Sequence, residues 1–503
     1  MQRWFRILAL LAALAQFTAM LIYSINLFSH FDLGIDFGIL NQATSQIASG
    51  HLNPYNTLYQ HPFWSDQFNL LAWPLALVRV VFPSSLSLLV VQDLAIATTS
   101  FLVIDFAIRV TARAFAGRTA GQLVVGSVML LALSNPYAWQ AASFDVHMQT
   151  IATLGLVLAV IGFWEGRALL PWVGLAIALM SGTESALLVA GLGVGMVVIT
   201  RMRRNGIAVT ILGIAWLALV IALNAHQGTP LKASYGYLAH SSNQSLAGIV
   251  LGMITHPATP ITTLAARGAW IARIFVYSGL LGSLFPPALG ASVVVIGANA
   301  LQSTPSFITL QAGFQNYPET LLLVAGFPIV AGWIGAALAR RSPRLGRVTP
   351  PLAAALALAI GAGALLYDAS IPPDWLIIPP RAAAVLDRVH LGPATQVFAA
   401  PQVVGRFSNR KNVLPWIFIP EAIPVCSSKI EIVVEAGYGH TFPSGPDVMP
   451  FVRGLAHLPQ ARLVAEGANV YVYEVTGLKR NQVLMEPSAT IVKSGPAGPG
   501  CAP

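Results

Sequence analysis

The stretch from Ile7 to Phe28, ILALLAALAQFTAMLIYSINLF, decides how the chain is read. It is as long as the hydrocarbon core of a bilayer requires, about 20 apolar residues. Arg3 and Arg6 precede it, and Ala13-Leu14-Ala15 resembles a signal-peptidase site. The apolar run continues well past Ala15, so it reads as an uncleaved first helix and not as a signal peptide. Composition extends the reading to the whole chain. Of 503 residues 55% are hydrophobic and 9% charged, with mean hydropathy +0.69. A soluble domain carries about 25% charged residues. Too little polar surface is encoded to cover a water-soluble body of this size, and disordered, collagen-like and disulfide-rich classes are excluded. Cys426 and Cys501 are too few for a disulfide framework or a four-ligand zinc site.

Further apolar blocks fall at roughly 84–110, 119–135, 149–165, 168–183, 185–200, 206–223, 270–284, 286–300, 320–339 and 350–367. The expectation is an all-α polytopic membrane protein with about eleven transmembrane helices. Charge orients it. Arg109, Arg113 and Arg118 fall in one loop, Arg167 in a second, Arg201, Arg203 and Arg204 in a third, and Arg340, Arg341, Arg344 and Arg347 in a fourth. With the N-terminus cytoplasmic, all four loops are cytoplasmic, and the opposite loops hold few basic residues. The net charge of +9 is explained by these loops, so no nucleic-acid partner is implied. The pattern requires that residues 67–82, interrupted by Pro74 and bounded by Pro83, lie at the interface without crossing.

The expected organisation is a membrane domain over 1–368 that includes a first outer loop, 29–83, then a linker over 369–394. A small extracytoplasmic α/β domain follows over 395–476, and a disordered tail over 477–503. Thr395–Ala399, Lys429–Glu435, Arg462–Ala465 and Val470–Val475 are strand-like, and Asp447–Leu458 reads as a short helix. No glycine-rich phosphate loop follows these strands.

Acidic residues are scarce, and the outer loops collect them. Asp32, Asp36 and Asp66 fall in the first, with His30, His51 and His61; Asp145 and His147 in the second; Glu184 in the third. Each has a plain structural reading. Asp32 and Asp66 suit the N-cap of a following helix, Asp36 a solvated helix face, and Asp145 and His147 a mutual hydrogen bond. Ionisable residues from separate turns at one edge of the hydrocarbon also suit a polar cavity at the outer leaflet. A sugar carried on a lipid phosphate presents its head at that depth. Transfer to a hydroxyl needs a base, for which a carboxylate serves, and stabilisation of the leaving phosphate by cations or a divalent metal. Asp, His and Glu suit Mg2+ or Mn2+. Arg79, Lys232, Arg267 and Arg273 are outer-side candidates for the lipid phosphate; Arg267 and Arg273 flank Trp270 and equally suit an interfacial anchor.

The layout resembles the multi-span GT-C glycosyltransferases, which use polyprenyl-phosphate sugars and carry an essential Asp just after the first helix. More closely it resembles the DUF2079 family of prokaryotic membrane proteins. The family's Phe/Tyr-Asp-Leu-Gly-Ile, Asp-His-Phe, Phe-Asp-Phe-His and Lys-Glu-Asp stretches appear in order as Phe31–Ile35, Asp66-Gln67-Phe68, Phe144–His147 and Thr183-Glu184-Ser185. Asn316-Tyr317-Pro318-Glu319 resembles a later His-Tyr stretch more weakly. Departures fall at Asp36, one place before the family's second Asp, and at Gln67, Thr183 and Ser185, which replace a His, a Lys and an acid. The resemblance implies sugar transfer from a polyprenyl-phosphate donor to an envelope glycan, lipid or protein. Asp32 would be the base, with Asp36, Asp66, Asp145, His147 and Glu184 shaping the donor site or holding a metal. Two other classes stay open from the residues. One is a transporter or flippase of a lipid-linked substrate, which predicts broken helices in paired halves. The other is a non-catalytic scaffold that keeps the fold.

Overall fold

A computed structural model describes residues 2–115, 118–223, 234–242, 244–303, 315–342, 351–352, 354–359, 362–363, 383–389, 391–392, 394–401, 403–415, 422–435, 449–467, 469–480, 482–485, 489–493 and 501. The chain forms two compact units. One takes Met1–Leu21, Gln67–Leu71 and Val91–Pro373; the other takes Ile22–Asp66, Ala72–Val90 and Asp374–Pro503. The first outer loop, expected within the membrane domain, therefore packs for the most part with the C-terminal residues.

Among the described residues six helices are long and apolar enough to cross a membrane: Arg3–Ser29, Leu86–Ala114, Thr119–Ser143, Met148–Glu165, Thr200–Leu223 and Tyr317–Arg341. Leu246–Thr255 and Ala258–Ala266, bent by 90° at their junction, make a seventh if counted as one span. The expected count of about eleven is not reproduced as full-length helices. The blocks at 168–183, 185–200, 270–284 and 286–300 are the shorter helices Leu170–Leu179, Thr183–Val197, Gly268–Tyr277 and Pro286–Ala300, and the block at 350–367 is described only in part. Hydropathy registers apolar content but not where the backbone turns. Gly182, at φ 104°, ends one apolar run and starts the next, a conformation strained for any residue with a Cβ. The helix Ala72–Val81 has 10 residues, about 15 Å of rise, too short to cross.

Close backbone contact holds the helical unit together. A Cβ on Gly191 would collide with the carbonyl of Gly290, and one on Gly290 with that of Gly191. This lets Thr183–Val197 lie directly against Pro286–Ala300, the usual means of helix association where water supplies no hydrophobic drive.

The unit is polarised along its helices. At one end, Arg6 Nε donates to Asp105 at 2.8 Å, Arg109 pairs with Asp105 and donates to Glu165 at 2.6 Å, and Arg167 reaches Glu165 at 3.4 Å. The Arg201 guanidinium lies 3.9 Å from the centroid of Trp164, whose ring is 6.0 Å from that of Trp333. The start of the first helix thus shares an end with four arginine-bearing turns, as the charge pattern expects.

In the second unit, β1 (Tyr55–Asn56) pairs with β2 (His61–Pro62). The strands β3 (Gln396–Ala399), β4 (Val413–Pro415), β6 (Lys429–Glu435), β7 (Ala461–Gly467) and β8 (Val470–Thr476) form one sheet in the order β4-β3-β6-β8-β7. The first three run parallel and the last three antiparallel. Phe398, Ile430, Ile432, Val434, Val475 and, from the helix Met449–His457, Phe451 and Leu455 form its core. The tail, expected to be disordered from 477, instead carries β9 (Gln482–Met485) and β10 (Thr490–Lys493), which join β5 (Ala422–Pro424) in a second sheet. Cys501 closes a disulfide with Cys426, 75 residues earlier. Two cysteines make no framework but do make one bond. Neither feature has a local signal: strands this short are specified by their partners.

Removing the disulfide with Cys501→Ser should lower the stability of this unit by up to about 4 kcal/mol, the loop-closure limit for that separation, read as a drop in the melting temperature under non-reducing conditions. A second outcome concerns pH. Glu431 is 2% exposed in the central strand β6 and faces Glu474 across β8. Burial, reinforced by Glu474, raises its carboxyl to about 7. The unfolded chain releases this proton near pH 4.5 and the folded chain near 7, so ionisation destabilises the fold progressively between those values and fully above them. Glu431→Gln should raise the melting temperature by a few degrees at pH 8 and leave it unchanged at pH 4. An equal rise at both values would mean that ionisation is not the cause.

Candidate functional site

At the end of the helical unit opposite the arginines, several helix termini bring polar side chains together. Glu184 lies in the first turn of Thr183–Val197, where the helix dipole favours a carboxylate. Asn299, in the last turn of Pro286–Ala300, donates to its Oε1 at 3.3 Å. Gln149, at the start of Met148–Glu165, hydrogen-bonds the same carboxylate, and His147 is within Coulombic reach. His147 is fixed from two sides. Its backbone N–H donates to Gln92 Oε1 at 2.8 Å, and its Nδ1 lies 2.9 Å from the backbone carbonyl of Asp145. Asp145 and His147 are therefore joined, through a main-chain carbonyl. His147 also occupies the N-cap position of the following helix, with no side-chain cap bond.

Glu319 completes this cluster and was missed by the sequence reading as a site residue. It sits in the first turn of Tyr317–Arg341, fully buried, with Glu184 in Coulombic reach. Neither carboxylate oxygen has a hydrogen-bond partner among the described residues. A buried polar group left in that state is costly and marks positions with a task beyond folding. One signal was available. Glu319 is the only acidic residue between Glu184 and Asp368, and like Glu184 it opens an apolar run. Asn299 and Gln149 carry no comparable signal.

The cationic candidates separate. Arg267 donates to the carbonyls of Ala300 at 2.5 Å and Gln302 at 2.6 Å, and so caps the C-terminus of Pro286–Ala300 beside Asn299. Arg273 lies 4.5 Å from the Trp270 ring centroid, as an interfacial anchor does. Lys232 falls outside the described residues. For a metal, among the described residues no three of His, Cys, Asp and Glu come together as a ligand group. Around Glu184 stand two amides, an imidazole and, within Coulombic reach, the Glu319 carboxylate.

Asp32, Asp36 and Asp66 belong to the other unit. Asp32 follows the first apolar helix, and its N–H donates to Leu27 O at 3.0 Å. It does not cap Ile35–Ala48: Gly34 holds the N-cap position, with no side-chain bond, and Asp36 lies in the first turn. Asp66 falls in the short helix Trp64–Gln67, its side chain outside the described part. C-terminal residues hold this loop. Gly405 N donates to Leu33 O at 3.0 Å, Asn41 Nδ2 to Ser408 Oγ at 2.8 Å, and Gln42 Nε2 to Arg410 O at 3.0 Å.

These features define a polytopic membrane protein with buried carboxylates at helix N-termini and a sheet domain after the helices. The fold is similar to that of ArnT from Cupriavidus metallidurans, crystallised with undecaprenyl phosphate, at TM-score 0.50 and 14% identity, over 91% of this chain and 96% of that one. This agrees with the GT-C-like fold expected from the sequence. Residues 26–360 match the family described as a predicted membrane protein, DUF2079. The chain belongs to the DUF2079 family. No curated protein matches it.

Asn299→Leu should destabilise the protein by about 1–3 kcal/mol by leaving the Glu184 carboxylate short of a donor. Adding Glu184→Gln should recover part of that loss, measured by thermal unfolding in detergent. Independent, additive losses would show that the two side chains do not depend on each other.

Proposed function

We propose that the chain is a membrane glycosyltransferase that moves a sugar from a polyprenyl-phosphate donor to an extracytoplasmic envelope acceptor, whether glycan, lipid or protein. The observation that carries this reading is the likeness of fold, over almost the whole chain, to a protein crystallised with undecaprenyl phosphate. The acceptor hydroxyl oxygen attacks the anomeric carbon, and the Asp32 carboxylate takes the hydroxyl proton. The bond from that carbon to the phosphate oxygen breaks, and polyprenyl phosphate departs with the electron pair. Glu184, Asp145 and His147, with Glu319, shape the donor site, and Asp36 and Asp66 flank the base along the chain. No step is assigned to Mg2+ or Mn2+.

The N-terminus is cytoplasmic in this reading. Two observations support that orientation. The arginine-bearing turns share one end of the helical unit, as cytoplasmic loops do. The Cys426–Cys501 bond suits the oxidising side of the membrane.

Membranes containing the chain, supplied with envelope extract and labelled polyprenyl-phosphate sugars, should transfer label and release polyprenyl phosphate. Asp32→Asn should slow turnover by roughly 10²–10⁴-fold, the usual size of a general-base contribution. Full turnover in the Asn variant would remove Asp32 from the chemistry. Folded wild-type protein that transfers no label from any donor would overturn the enzyme assignment.

A further inference from the structure

The C-terminal unit holds one arginine whose environment its neighbours do not share. Gly405 lies so close to the Asp32 loop that a Cβ there would collide with the carbonyls of Leu33 and Gly34. The next residue, Arg406, sets its guanidinium 3.9 Å from the ring centroid of Phe28 and 5.2 Å from that of Phe31. Phe31 holds φ 60° and also packs on Phe407, with ring centroids 5.8 Å apart. Among the described residues Arg406 has no ion pair, and its buried Nε has no hydrogen-bond partner. The other half-buried or buried arginines described in this unit are satisfied. Arg410 donates to the carbonyls of Phe407 at 2.8 Å, Thr395 at 3.1 Å and Gly392 at 3.2 Å, and Arg79 donates to Asn41.

A half-buried guanidinium with open donors is costly to maintain. Burial lowers its pKa from the usual arginine value, and Asp387, which is not ion-paired with it, acts the other way. Stacking on two phenyl rings fixes the plane of the fork but engages none of its N–H groups. Its depth indicates what those groups face. Phe28 is in the last turn of the first apolar helix, where hydrocarbon gives way to head groups. A planar fork at that level matches a phosphate, which it can bind through two parallel N–H···O bonds.

We propose that Arg406 binds the phosphate of a lipid-linked ligand beside the Asp32 loop. This deepens the proposed function, because it hands phosphate recognition to the C-terminal unit. Arg406 is a binding residue, and Gly405, through Leu33, is a positioning one.

The test uses the full chain in detergent, titrated with undecaprenyl phosphate, undecaprenol and inorganic phosphate and read by native mass spectrometry. Arg406→Gln should weaken undecaprenyl phosphate binding by roughly tenfold or more and leave undecaprenol binding unchanged, while Arg453→Gln, at an exposed site, should change neither. In wild-type protein, undecaprenyl phosphate but not undecaprenol should protect Arg406 from phenylglyoxal. This arm holds even if the Gln variant misfolds. Unchanged affinity in folded Arg406→Gln protein, or no protection, would overturn the proposal. Protection by inorganic phosphate at the concentrations at which the lipid protects would assign the site to free phosphate and overturn its lipid-linked form. Arg406-dependent lipid binding without any sugar transfer would uphold the site and remove the glycosyltransferase reading. Transfer with binding indifferent to Arg406 would do the reverse.

Discussion

The cost of holding a charge away from water constrains everything else in this protein. With only 9% of its residues charged, the chain gathers several of its ionic groups at the two ends of the helical unit. At one end of the helical unit, Asp105 and Glu165 are shared among Arg6, Arg109 and Arg167, so each carboxylate sees more than one cation. At the other end, Glu184 and Glu319 sit in first helical turns, and Glu184 accepts from amides. The two ends solve the same problem differently. Mutual pairing engages these groups with one another, whereas amide and dipole solvation leaves a carboxylate that can still exchange a proton or accept a hydroxyl.

Much of the fold was legible because its signals are local. Lys429–Glu435 and Val470–Thr476 read as strands from their β-branched and aromatic content, and Met449–His457 from its helical spacing. The arginine turns gave one end of the helical unit. The illegible parts depend on partners distant in sequence. Asn299 and Gln149 meet Glu184 only because three helices converge, and an amide among apolar residues gives no hint of what it will face. The strands at 482–485 and 490–493 are too short to announce themselves and exist by pairing. Span length was less legible: the apolar blocks at 168–183 and 270–284 hold helices of 10 residues each, Leu170–Leu179 and Gly268–Tyr277.

Candidate residues were legible to different degrees. Glu184, Asp145 and His147 were found from charge placement alone, and the structure brings Glu184 and His147 near one another. Glu319 was within reach, since an isolated acid in a long apolar stretch is itself a signal. Arg267 was found as a cation but is occupied as a helix cap, a role that spacing cannot reveal because the carbonyls it meets lie more than 30 residues later.

The bonds that hold the first loop to the C-terminal unit have a consequence for synthesis. Asn41 meets Ser408 across 367 residues, and Gln42 meets Lys411 across 369. At ribosomal rates of about 5–20 residues per second, the loop waits tens of seconds or more for its binding surface to be made. During that interval Asn41 and Gln42, both buried in the finished protein, have no native partner at these positions. The loop is thus assembled last although it is made first. A nascent chain stalled before residue 403 would hold its first helix and yet lack the loop's support, which makes quality control at the end of translation a check on the residues at its beginning.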